Sequence, residues 1–171
     1  MDIKVTSKIK LYQQQRSRKI RGANHSIQKP DHIAHIVRSF LQGDIKESMV
    51  VLALDTRHNV IAVYEVFSGT LNSVQVSPRE IMQFALLNNA HAIAVAHNHP
   101  SSSLEPSAPD LDFSFRLSMA GELLKIDVLD HLIVTDDAFV SIRQVEEGLF
   151  MPRNDNELYD FVVSESERAY N

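Results

Sequence analysis

Residues 91–110 read HAIAVAHNHPSSSLEPSAPD, and the order of their parts decides the fold. HAIAVAHN is expected as a buried strand. The Ser- and Pro-rich run after it reads as a loop, and a helix is expected from about Ser107 to Gly121. His97 and His99 lie two apart at the strand's end, so period-two alternation puts both imidazoles on one side. Asp110 follows His99 by eleven residues, at the start of the helix, where one carboxylate can be aimed back at the same point. Two imidazoles and one carboxylate leave a fourth position open for water, as catalytic rather than structural sites do. Zinc takes such a donor set well, and other divalent metals also suit it.

Working outward, the flanking sequence supplies a sheet with helices packed on it. Upstream, PDHIAHIVRSFLQ has Ile33, Ile36, Val37, Phe40 and Leu41 on one helical face, with Pro30 opening the helix and Gly43 stopping it. SMVVLALD and HNVIAVYEVFSG read as buried strands joined by a hairpin turn at 55–59. LNSVQV is short and extended. Ser77-Pro-Arg-Glu80 has the form of a capping box with proline at the first helical position, and starts a helix expected to reach about Asn89. Downstream, KIDVLDHLIV is a strand, TDDA a turn and FVSIRQ its hairpin partner. The predicted fold class is α/β: a central mixed β-sheet flanked by helices in three layers.

Composition narrows the chemistry. The chain of 171 residues and 19.3 kDa predicts one domain, and 44% apolar with 23% charged residues is ordinary for a soluble globular protein. There is no cysteine, which excludes disulfides, cysteine nucleophiles, iron–sulfur clusters and Cys-based zinc sites. A metal must therefore be held by histidine and carboxylate, and eight histidines are present. No apolar run reaches the roughly 18–20 residues of a membrane span, and MDIKVTSKIK lacks the apolar stretch of a signal peptide. A cytoplasmic protein with no membrane association is the expectation.

The net charge of −5 is unevenly spread. Residues 1–21 carry seven Lys and Arg against Asp2, whereas residues 146–171 carry seven acids against two arginines. The expected organisation is a basic N-terminal arm over 1–29, a metal-binding domain over 30–145 and an acidic C-terminal tail over 146–171. A basic arm on an acidic body can touch nucleic acid or an acidic partner; a solvated or strand-paired arm with no partner is the plainer account.

A metal-activated water needs a proton acceptor, and Glu65 is the expected one. It sits inside an otherwise apolar strand, where a lone carboxylate is costly to bury. Alternation places it with Ile61, Val63 and Phe67. Each piece has a plainer reading. Ser107 and Asp110 have the spacing of a helix cap, the two histidines could simply brace a loop, and Glu65 could face solvent or an arginine.

Taken together, His97-x-His99, then Ser107 and Asp110, with a glutamate in an upstream strand, resemble the signature of the JAB/MPN (JAMM) metalloprotease superfamily. Val76-Ser-Pro-Arg-Glu-Ile81, Ala96-His-Asn-His-Pro-Ser101, Pro106-Ser107 and Asp130-His-Leu-Ile133 look like its RadC-type branch, over roughly residues 30–145. Two departures stand out. Ser102 occupies a place where that branch usually has glycine, and the 30 or so residues before the core are too few for the branch's N-terminal helix-hairpin-helix region. The resemblance implies a deaminase-like three-layer fold and a Zn2+ cofactor held by His97, His99 and Asp110. It also implies hydrolysis of peptide or isopeptide bonds in a protein or peptide substrate. Glu65 is then the general base, Ser107 a donor to the oxyanion, and Asn98 and His131 residues behind the ligands or lining the cleft. The Ser101–Glu105 loop and the segment Ser68–Val76 would form its walls. The alternative is a DNA-associated factor or metal-dependent nucleic-acid enzyme using the same site, with the basic arm touching DNA. Zinc deamination is excluded by the missing cysteines.

Overall fold

The computed structural model describes residues 26–41, 46–69, 76–99 and 101–150. Residues 1–25 of the basic arm, the acidic tail beyond Phe150 and most of LNSVQV lie outside the described residues. Helix α1 (Pro30–Leu41) is followed by a hairpin of β1 (Glu47–Leu54) and β2 (Val60–Gly69), then α2 (Pro78–Leu87), β3 (Ala92–Asn98), α3 (Ala108–Leu124), β4 (Asp127–Val134) and β5 (Phe139–Ser141). The short helix α4 (Ile142–Val145) and a single 3-10 turn (Glu147–Phe150) complete the described chain. The strands form one sheet in the order β2-β1-β3-β4-β5, with β3 and β4 parallel and the other pairs antiparallel.

Alternation along the strands builds two cores. Val50, Leu52 and Leu54 of β1, Ala92, Ala94 and Ala96 of β3, and Leu132 and Val134 of β4 face α1, meeting Ile33, Ile36 and Val37. Val51, Ile93, Val95 and Ile133 face the other way, against Ile81, Met82 and Ala85 of α2 and Leu117 of α3. The three layers follow from strands that are apolar on both faces. No helix among the described residues is long and apolar enough to cross a membrane.

Local chemistry sets the boundaries. In the 55–59 turn, Asp55 accepts from the Arg57 and Asn59 backbone amides, and His58 takes φ 58°. Ser77 caps α2 by accepting from the Arg79 amide. Helix α3 runs three residues past Gly121 and stops at Lys125, whose φ of 54° is left-handed. Gly121 does not terminate the helix; it lets the helix approach β4. A Cβ there would lie 2.5 Å from the Ile126 carbonyl oxygen and 2.8 Å from Val128 Cγ2. The expected partner of β4 is cut to three residues, because Ser141 turns the chain and caps α4 by accepting from the Gln144 amide.

Candidate metal centre

Strand β3 lies inside the sheet, between β1 and β4, and its C-terminal end meets the N-terminus of α3. Met49 is opposite His97 in the β1–β3 ladder, and the pair faces the α2–α3 side. His97 is the last side chain of that row and is 2% exposed; His99 follows just beyond the strand and is 15% exposed. The α3 N-terminus comes back over both. There His97 Nε2 lies 2.8 Å from His99 Nε2 and 3.3 Å from Asp110 Oδ1, and His99 Nε2 lies 3.7 Å from Asp110 Oδ2. The expected trio is brought together.

Asp110 has both of the roles that its spacing left open, on different atoms. Its Oδ2 accepts from the Ser107 amide at 2.8 Å and from the Ser107 hydroxyl, while the Ser107 Oγ accepts from the Asp110 amide at 3.3 Å, closing a reciprocal helix cap. Oδ1 remains turned toward His97. Ser107, expected as an oxyanion donor, here directs its hydroxyl to Asp110 and holds that carboxylate in place.

The donor set fits a divalent cation. A carbonyl oxygen can only accept, so the 3.0 Å contact between His99 Nδ1 and the Ser103 carbonyl puts the proton on Nδ1 and leaves Nε2 a bare lone pair. That lone pair faces a second imidazole nitrogen and a carboxylate, an electron-rich convergence that a cation satisfies. Burial pushes the His97 imidazole down to about 4, with Asp110 raising it and His99 lowering it more weakly, so the ring is neutral at pH 7 as a ligand must be.

Glu65 is not brought to this cluster, which corrects the second expectation. The β1–β2 pairing shifts register so that Met49 faces Phe67 while Val50 faces Glu65, with Val66 as the extra residue. The bulge puts Glu65 with Ser48 and Val50 on the α1 face and Phe67 with Met49 on the other. Ser48 Oγ donates to Glu65 Oε1 at 2.9 Å. The carboxylate beside the histidines is Glu47, whose oxygen and the two imidazole nitrogens all lie within 4.8 Å of one another. Desolvation holds the Glu47 carboxyl above its ordinary range; His99 lowers it and Asp110 raises it more weakly. No single segment signals this: β1 runs antiparallel to β3 and begins where β3 ends, which brings Glu47, on the face of Met49, to the histidines.

Asn98 fixes that beginning. Its Oδ1 accepts from the Ser48 amide at 2.7 Å and its Nδ2 donates to the Lys46 carbonyl at 2.9 Å, so one carboxamide holds the backbone on both sides of Glu47. It continues the ladder past the Met49–His97 pair, as a peptide group would. His131 is fully buried behind His97, its Nε2 2.8 Å from His97 Nδ1. Ser102 keeps the backbone that a glycine would adopt there, with φ 57° and its amide donating to the His99 carbonyl at 2.9 Å.

Comparison with known proteins agrees with this architecture. The family model described as the RadC-like JAB domain matches residues 27–149. A UPF0758 protein of Staphylococcus haemolyticus is 41% identical over 128 residues, covering 75% of this chain and 55% of the relative. A UPF0758 protein of Clostridium kluyveri is 40% identical over 123 residues, covering 72% and 54%. One of Aeromonas salmonicida is 45% identical over 109 residues, covering 64% and 50%. The chain spans about half the length of the curated relatives it matches. By fold, by the histidine–aspartate convergence at the end of β3 and by this match over most of its length, the chain belongs to the RadC-like JAB domain family.

Proposed function

We propose that the protein is a zinc-dependent hydrolase of peptide or isopeptide bonds. The observation that carries this reading is the convergence of His97 Nε2, His99 Nε2 and Asp110 Oδ1 with the Glu47 carboxylate alongside. In this reading His97, His99 and Asp110 hold the metal and Ser107 holds Asp110. A bound zinc ion would supply Lewis acidity, lowering the pKa of water and polarising a carbonyl.

The chain's own residues do the rest. Glu47 takes a proton from the attacking water as its oxygen bonds to the carbonyl carbon. When the carbon–nitrogen bond breaks, Glu47 returns that proton to the leaving amine. A carboxylate raised by partial burial suits both transfers. Asn98 keeps Glu47 at the histidines. Substrate approaches from the side of His99 and Asp110, because His97 is closed off by the core.

Metal content of the native full chain, purified without added metal beside Asp110→Ala, tests the reading. About one zinc per chain, lost in the variant, is the expected result. No zinc in the wild type, even after zinc is added, overturns it. Glu47→Gln should retain metal while losing turnover of peptide or isopeptide substrates. The nucleic-acid reading rests on arm residues outside the described ones. Salt-dependent DNA binding that disappears on deleting residues 1–21 would favour it.

A further inference from the structure

One buried polar group has no role in the mechanism above. His131 is 0% exposed, on the side of the sheet where the core is built mainly of apolar side chains. It is opposite Val95 in the parallel β3–β4 ladder, whose register shift after Ile93 turns it to the same face as His97. The edge of its ring meets Phe113, with centroids 5.7 Å apart. Both of its nitrogens are engaged. Nε2 lies 2.8 Å from His97 Nδ1, and Nδ1 lies 2.6 Å from Ser114 Oγ. Ser114 Oγ in turn lies 2.7 Å from the backbone carbonyl of Asp110.

Only one placement of protons satisfies this chain. The Asp110 carbonyl accepts and cannot donate, so Ser114 spends its single hydroxyl proton there. Ser114 Oγ must then accept from His131, which puts the His131 proton on Nδ1. A ring with 0% exposure, set between a hydroxyl and a second imidazole, carries no net charge because a buried cation there would be costly, so with its proton on Nδ1 its Nε2 is bare and can only accept. His97 must therefore donate from Nδ1, and its Nε2 is left a bare lone pair facing His99 and Asp110. Without the relay a competing placement opens, in which His97 carries its proton on Nε2 and donates it to His99, closing the site to a cation.

We propose that His131 and Ser114 are positioning residues that lock His97 in the Nδ1–H tautomer, keeping its Nε2 free for the metal. The relay begins on one ligand's ring and ends on another ligand's backbone, so it also ties β3 and β4 to the first turns of α3. The proposal rests on the metal-binding reading above. It concerns which residues prepare the ligands and not which residues react.

Two measurements on the full chain test it. Long-range nitrogen-15 NMR of the metal-free wild type reads the tautomers directly, and both His97 and His131 should be protonated at Nδ1 and bare at Nε2. Zinc affinity, measured by competition with a chelator, should weaken about 10–100-fold in His131→Leu, the range found when such outer partners are removed. It should largely recover in His131→Gln, whose side-chain oxygen can accept from His97 Nδ1. His97 protonated at Nε2 in the wild type overturns the proposal, as does wild-type zinc affinity in a folded His131→Leu. Where His131→Leu fails to fold, Ser114→Ala takes its place. Weakened zinc binding with mixed His97 tautomers supports the relay, and unchanged binding with the Nδ1–H form intact overturns it. A wild type that binds no zinc overturns the metal reading instead, and the nitrogen-15 spectrum still decides the tautomer.

Discussion

Ser48 donates a hydrogen bond to Glu65 at 2.9 Å on the α1 side of the sheet, and that bond separates the two strand carboxylates by function. Glu65 is a satisfied side chain in the β1–β2 hairpin, while Glu47, one residue before Ser48, faces the histidines. Glu47→Gln is expected to lower turnover at least about 100-fold, the usual worth of a positioned proton acceptor, with zinc content unchanged. Glu65→Gln should leave turnover near wild type. Paired kinetics and metal analysis on the two variants check this; a reversed ranking would restore Glu65 as the base.

Asn98 makes a different prediction, because it touches no reacting atom. Asn98→Ala removes two hydrogen bonds to the β1 backbone, at a cost to stability of about 1–3 kcal/mol. It should lower kcat more than it raises KM, since Glu47 loses its fixed position while the ligands remain. Denaturant unfolding and steady-state kinetics read the two effects separately. Additive losses in an Asn98→Ala, Glu47→Gln double variant would show that the two residues do not act together.

The left-handed backbone at Ser102 is the local cost of serine where a glycine would be at ease. Left-handed backbone costs a non-glycine residue about 1–2 kcal/mol, and glycine returns about 0.5–1 kcal/mol of that as extra freedom in the unfolded chain. Ser102→Gly should therefore shift stability by about 0–1.5 kcal/mol in the stabilising direction. Ser102→Val, β-branched at a positive φ, should destabilise. Urea titration of both variants checks the ordering.

Asp130 gives a pH dependence of opposite sign to the usual carboxylate. Desolvation raises its pKa above the ordinary value, and this outweighs the hydrogen bonds from Ser141, Arg143 and His131. The folded state therefore holds the Asp130 proton more tightly than the unfolded chain does. Its contribution to stability is full below the unfolded pKa of 3.8 and is lost as pH rises through the raised folded value. Against Asp130→Asn, the wild type should lose relative stability as pH is raised from 3.5 toward 6 in urea titrations. A flat difference would mean that Asp130 is as comfortable charged in the fold as in water.

The sequence made the frame legible because the frame is local. Strands that are apolar on both faces, Pro30 and Ser77 at helix starts, and the spacing from His97 to Asp110 each report on a few consecutive residues. Glu65 misled because its face was counted by strict alternation, and one extra residue at Val66 reverses the count. Glu47 was hidden for a complementary reason. Its relevance depends on β1 pairing antiparallel with β3, a relation between segments 50 residues apart that neither segment carries alone. The role of Ser107 likewise turned on where a single hydroxyl proton goes.

The unequal burial of the three ligands has a kinetic consequence. His97 is anchored in the core at 2% exposure, whereas His99 and Asp110, at 15% and 14%, sit on a loop and a helix end secured by short-range bonds to Ser103 and Ser107. Opening at His99 needs no disturbance of the sheet, whereas the Asp110 backbone is tied through Ser114 to His131 of β4. Exchange at the site should then run at the rate of that local opening, faster than global unfolding and little affected by mutations that stabilise the core. Affinity and residence time become separable, the first set largely by the buried floor and the second by the rim.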